Sequence, residues 1–129
     1  MGKLKCISLN TNGLNNPIKR KRILQKLKKD GGEIIFLQET HLSKVEHAKL
    51  EKLALAQVFF SSHTTAKRGV AVLIKNNLMF KKEKCIRDKE GRYVFVIGEI
   101  EEQYITLINV YNPPGKEVDL LKRILDLFN

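Results

Sequence analysis

The chain has few cysteines, no long apolar run and a shortage of acidic residues. Its 129 residues include only Cys6 and Cys85. They are far apart and lack metal-binding spacing, so reduced thiols in an intracellular protein are the simplest account. No stretch approaches the roughly 20 apolar residues that span a bilayer. The opening "MGKLKCISLN" lacks the apolar segment of a secretion signal. A cytoplasmic or nuclear chain without membrane contact is therefore expected. Internal repeats, low-complexity tracts and linkers are also missing, which leaves one small domain over 1–129.

Asp and Glu number 14 against 24 Lys and Arg, a formal charge of +10. That imbalance favours a polyanionic partner, nucleic acid first, through counterion release and steering. A plainly soluble basic surface would carry the same charge. The hydrophobic share of 43% permits a packed core. A chain of this size buries only about two-thirds of its unfolded surface, so an incomplete core would leave little stability in reserve.

Patterning divides the chain into short elements. "KLKCISLN" alternates, with Leu4, Cys6 and Ser8 on one face and Lys5, Ile7 and Leu9 on the other, and reads as a strand ending near Asn10. Asn16 can cap a helix that has Pro17 at its first position and Ile23, Leu24 and Leu27 as its apolar stripe, stopped by "DGG" at 30–32. "EIIFLQ" is an apolar run of strand length, the pattern of a strand covered on both faces. Ser43 and Glu46 form a capping box for a helix to about Ala54. "QVFFSSH", "GVAVLIK", a hairpin of "MFKKEKCIR" with "RYVFVIGEI", and "QYITLINVYN" read as strands. Pro113, Pro114 and Gly115 end the last of these, and Val118, Leu121, Leu125 and Phe128 mark a closing amphipathic helix. The expected fold is α/β: a mixed, largely antiparallel sheet with helices on one face.

Polar groups collect where strands end: Asn10, Glu39, and Tyr111 with Asn112. Ligands of α/β sheets often sit outside the strands' carboxyl ends. A hard cation such as Mg²⁺ takes oxygen ligands, keeps waters and is often held by one or two carboxylates plus substrate phosphate, a role that suits Glu39. Each residue also has an ordinary reading: a solvated carboxylate, turn chemistry at "NTNG", an aromatic at the edge of the core. His41 reads as a structural or substrate-contact residue, and His47 and His63 as surface residues. Lys19, Arg20, Lys21 and Arg22 lie in the first turns of their helix, where the macrodipole disfavours positive charge. Phosphate contact is one explanation of "KRKR", and a solvated face is the other.

The blocks "ISLNTNGLNNPIKRKRIL", "FLQETHL", "RGVAVLI", "RDKEGRYVFVIGEI" and "ITLINVYNP" occur in an order and at spacings that resemble the exonuclease/endonuclease/phosphatase superfamily. The chain is most similar to the endonuclease domain at the amino end of LINE-type retrotransposon polyproteins. The resemblance implies a DNA endonuclease dependent on Mg²⁺ (or Mn²⁺) that nicks a target, with a reverse-transcriptase region downstream in the parent polyprotein. It implies that Glu39 is a metal ligand, that Asn10 helps hold metal or phosphate, and that Tyr111 contacts the scissile phosphate. Asn12, Gln38 and His41 would be supporting residues.

The family continues with a "GDFN"-type block, a later Asp and an "SDH"-type block, none of which occurs here. About half of a four-layer α/β/β/α sandwich is therefore expected, with little or no nicking activity of its own. One apolar sheet face should stand uncovered and available to another chain or a second copy. A non-catalytic remnant that binds nucleic acid or protein is the rival reading. A relative acting on abasic DNA or a small phosphodiester is a third.

Overall fold

A computed structural model of the protein describes residues 3–111. Asn112, the Pro113–Gly115 stop and the expected closing helix lie outside the described residues. Seven strands and two helices follow one another: β1 (Cys6–Asn10), α1 (Pro17–Lys29), β2 (Ile34–Gln38), α2 (Lys44–Ala54), β3 (Ala56–Ser61), β4 (Val70–Lys75), β5 (Lys81–Arg87), β6 (Tyr93–Ile100) and β7 (Gln103–Val110). These elements lie where the sequence pattern puts them.

Local chemistry sets the helix ends. The Asn16 side chain accepts from the N–H groups of Ile18 and Lys19 at 2.8 and 3.2 Å, and Pro17 occupies the first turn, where a missing N–H costs nothing. Ser43 caps α2 by accepting from Glu46 N–H at 3.1 Å. The Glu46 carboxylate turns away from the cap to Arg20 and Lys49. Among the described residues, no helix is long and apolar enough to cross a membrane.

The seven strands form two sheets where one was expected. The first has the order β1-β2-β4-β3, with β1 parallel to β2 across the α1 crossover and the other pairs antiparallel. The second is the antiparallel meander β5-β6-β7. β4 already has a neighbour on each edge, so the chain leaving it cannot extend that sheet there. It turns through a short 3-10 segment at Asn76–Leu78 and a left-handed Met79, and the meander folds over the sheet's face. A strand added at an edge and a strand stacked on a face carry the same period-2 pattern, so the sequence did not separate them.

The molecule is layered: helices, first sheet, second sheet. Leu27, Ile35, Leu37, Leu42, Leu50 and Leu73 form the core between helices and sheet. Ile34, Val72, Ile74, Val94, Val96 and Leu107 form the core between the sheets. Covered on both sides, Val70 through Ile74 are fully buried. The sheet face expected to be bare is thus covered over β2, β4 and β3 by the second sheet. Among the described residues, its continuation on β1 stays open, where Cys6, Ser8 and Asn10 are exposed.

Replacing Leu73 by Ala should cost roughly 2–5 kcal/mol of unfolding free energy in a urea titration. Ile108→Ala, at a residue 45% exposed, should stay within about 0.5 kcal/mol of the unmodified chain.

Candidate active site

Asn10 and Gln38 are register partners at the ends of the parallel pair β1 and β2. The backbone ladder continues past them into the loops. Thr11, Gly13 and Leu14 donate from their N–H groups to the carbonyls of Gln38, Glu39 and Thr40 at 2.9, 2.7 and 2.8 Å. On the other side, Thr40 and His41 donate to Gly69 and Arg68 at 3.1 and 2.7 Å. Thr11 adds its hydroxyl to the carbonyls of Gln38 and Glu39.

Held between these two loops, Asn12, Glu39 and His41 all have left-handed backbone, with φ of 49, 50 and 59°. Such a conformation costs a residue with a side chain roughly 1–2 kcal/mol and persists only where its surroundings over-determine it. Gly13 lies against the His41 ring, and a Cβ there would come within 2.9 Å of Nδ1. Gly69, also left-handed at φ 96°, leaves no room for a Cβ beside Thr40 Oγ1.

Glu39 and Tyr111 meet at this end of the molecule. Burial raises the Tyr111 phenol above its ordinary pKa, reinforced by a hydrogen bond to Glu39 and that residue's charge, with Arg68 acting in the opposite sense. Tyr111 is fixed from behind by its N–H donating to Arg92 O at 2.7 Å. Arg92 binds Asp88 at 2.9 Å and Glu90 at 2.7 Å, whereas Arg68 reaches Glu90 only at 3.8 Å. A cation, a carboxylate and a phenol therefore share one neighbourhood, and Arg68 was missed by the sequence reading.

The supporting residues are distributed as follows. Asn10 is exposed, and its side-chain oxygen accepts from Asn12 N–H at 3.1 Å, the turn chemistry of "NTNG". An amide oxygen has a second lone pair left for a ligand. Gln38 Nε2 donates to Ser8 Oγ at 3.1 Å and to Asn109 Oδ1 at 2.8 Å. Asn109 is 2% exposed and donates in turn to the carbonyls of Leu37 and Ala71 at 2.9 and 2.8 Å. Sequence reading passed over Asn109 too. A polar residue at an inward position of the alternating run "ITLINV" was the available signal.

Two expectations need correction. His47 is fully buried: it shares the inward stripe of α2 with Leu50 and Ala54, and helical position overrode polarity. Its ring nitrogens meet Thr40 Oγ1 and Ser62 Oγ, each at 2.7 Å, and it stacks on Phe60 at 4.7 Å between centroids. Arg20 is also buried. It donates from Nε to Leu14 O at 2.9 Å and pairs with Glu46 at 3.0 Å, so it braces α1 against α2 and does not offer itself to phosphate. Lys19 donates to Asn12 O at 3.2 Å, while Lys21 and Arg22 are exposed. His63 is half-buried, with Nδ1 at 2.6 Å from Thr65 Oγ1.

Among the described residues, no three His, Cys, Asp or Glu side chains cluster as a metal cage. One carboxylate with nearby amide oxygens is a poor zinc or calcium site. It fits a Mg²⁺-type ion, which retains waters and takes its remaining ligands from substrate phosphate.

The profile of the Endonuclease/Exonuclease/phosphatase family matches residues 7–127, and the chain belongs to that family. A protein of Xenopus laevis, the transposon TX1 uncharacterized 149 kDa protein, is 29% identical over 110 residues, covering 85% of this chain and 8% of that protein. The fold is similar to a humanized D. rerio TDP2 (TM-score 0.69, 17% identity), covering 96% of this chain and 54% of that one. It is similar to an AP endonuclease from Leishmania major (0.65, 20%), covering 93% and 44%. The endonuclease domain of TRAS1, a telomere-specific non-LTR retrotransposon, superposes at 0.63 with 16% identity, covering 98% and 54%. The chain thus spans about half the length of these solved structures, or less.

Burial lowers the His47 pKa from 6.5 to about 4. An unfolded imidazole therefore binds a proton before the folded one does, and the associated stability is fully present above pH 6.5 and lost as pH falls toward 4. Unfolding free energy should drop by roughly 2–3 kcal/mol between pH 7 and pH 4.5. His47→Gln should flatten that slope in denaturant titrations across the same range.

Proposed function

We propose that this chain carries the metal-ligand half of a DNA phosphodiesterase site. The observation that carries the reading is Glu39: a carboxylate on a left-handed residue at a strand end, close to Tyr111 and flanked by Asn10 and Gln38. Glu39, assisted by the Asn10 amide oxygen, would hold Mg²⁺ (or Mn²⁺). When bound, the ion neutralises charge on the phosphate and on the leaving oxygen.

The chain's own groups do the rest that this half can do. Tyr111, close to the carboxylate, would donate its phenol hydrogen bond to a phosphate oxygen. Arg68, loosely paired, offers a guanidinium to the same phosphate. Lys19, Lys21 and Arg22 contact flanking phosphates, and Asn12, Gln38 and His41 support the loops. Nucleophilic attack needs a base to deprotonate water, and the family blocks "GDFN" and "SDH" are not in this sequence. The isolated chain therefore binds metal and DNA and nicks little or not at all. The transposon relative, a 149 kDa protein of which this chain covers 8%, supports a larger parent; a reverse-transcriptase region downstream and work inside the cell belong to the proposal.

Supercoiled plasmid incubated with the chain and Mg²⁺ should stay closed, while calorimetry detects Mn²⁺ binding that Glu39→Ala weakens by at least tenfold. Robust nicking abolished by Glu39→Ala, or Mn²⁺ affinity indifferent to it, refutes the corresponding half of the proposal.

The +10 charge supports the second reading, a remnant that binds nucleic acid without cleaving it. Its signature is DNA affinity that falls steeply with salt, with a slope reduced by about one unit per phosphate contact removed in Lys21→Gln and Arg22→Gln. Affinity unchanged across salt excludes it. An AP endonuclease among the solved structures of similar fold supports a third reading, action on abasic DNA or a small phosphodiester. Cleavage assays on a longer version of the chain separate those.

A further inference from the structure

We propose that Asn109 is the positioning residue of the candidate site, a buried amide that fixes the sliding register between the two sheets and thereby sets Tyr111 over Glu39. The site it positions is the one proposed above, but the clamp itself stands on geometry that needs no metal.

Every hydrogen-bonding position that matters on this side chain is used. Nδ2 donates to Leu37 O at 2.9 Å and Ala71 O at 2.8 Å, and Oδ1 accepts from Gln38 Nε2 at 2.8 Å. Leu37 and Ala71 are register partners on β2 and β4, so one side chain from the second sheet spans two strands of the first. Its neighbours between the sheets are the apolar side chains of Leu107, Val94, Val72 and Val70, while other directional bonds, Gln57 Nε2 to Phe80 O and Ser61 Oγ to Asp88 O, cross on the β3–β5 side, away from Tyr111. Apolar packing tolerates small slides, whereas a buried amide with three partners does not, because shifting it leaves polar groups unpaired in a dry interior.

Period-2 geometry carries that register to the site. Side chains two apart on a strand share a face, so Tyr111 follows Asn109 on the face turned toward the first sheet. Glu39 lies two residues beyond Leu37 and one beyond Gln38, both partners of the amide. A slip of β7 by one repeat would offer Leu107 to the two carbonyls and carry Tyr111 away from Glu39. Gln38 extends the brace to β1 through Ser8 Oγ, at the strand that ends in Asn10.

The test compares two variants of the full chain by NMR and Mn²⁺ titration. Asn109→Leu keeps the packing volume while deleting the amide. Leu107→Ala weakens the same sandwich and leaves the amide in place. Asn109→Leu should lose the nuclear Overhauser contact between the Tyr111 ring and the Glu39 side chain and weaken Mn²⁺ binding about tenfold, as removal of an outer partner does. Leu107→Ala should keep both near their unmodified values.

Retention of the Tyr111–Glu39 contact in Asn109→Leu overturns the proposal, as does its equal loss in Leu107→Ala. If Asn109→Leu does not fold, the unmodified chain decides: slowly exchanging Asn109 side-chain amide protons support the clamp, and exchange as fast as an exposed amide's overturns it. A chain that binds no Mn²⁺ yet loses the Tyr111–Glu39 contact in Asn109→Leu keeps the clamp and removes the metal reading.

Discussion

Backbone hydrogen bonding does not stop where β2 ends, and the site depends on that continuation. The carbonyls of Gln38, Glu39 and Thr40 accept from the 11–14 loop, and the N–H groups of Thr40 and His41 donate to 68 and 69. A segment buried against two loops must satisfy its polar groups inside the protein. Pairing on both sides does so, and it also removes the freedom by which left-handed residues would relax. Each backbone bond contributes only about 1 kcal/mol net. Several of them acting on the four residues Gln38 to His41 outweigh the strain at Glu39 and His41, and the carboxylate is held where an ordinary loop would let it wander.

Two buried polar side chains extend this control to more distant parts of the fold. His47 joins Thr40, inside the loop, to Ser62 at the end of β3. Asn109 joins the last turn of the ladder in β2 to the second sheet. Both lie in surroundings that are otherwise apolar, where a satisfied polar group specifies one arrangement more than it adds stability. The Glu39 loop is thus referred to α2 on one side of the first sheet and to β7 on the other.

Much of this was legible in the residues. Caps at Asn16 and Ser43, the apolar run of β2 and the hairpin at 81–100 follow from local chemistry, which sequence states directly. The nomination of Glu39 and Tyr111 also came from position, at strand ends, and the two residues do meet. What sequence did not carry was third-dimension pairing. Whether a meander extends a sheet or caps it leaves the same alternation, and whether His47 or Arg20 faces in depends on which arc of a helix another layer covers. Asn109 was invisible for the same reason: its partners are main-chain carbonyls, which every sequence has everywhere.

Left-handed backbone recurs away from the site, at Ala66 and Met79 among others. There nothing chemical is asked of the side chain, and glycine would relieve the conformation at little loss. At Glu39 the same relief would remove the carboxylate itself. The fold therefore has two kinds of strained position, one that selection for stability is free to relax and one that only selection for chemistry would keep. A lineage that has given up the chemistry should be recognisable by glycine, asparagine or aspartate drifting into position 39 while the loops around it still pair.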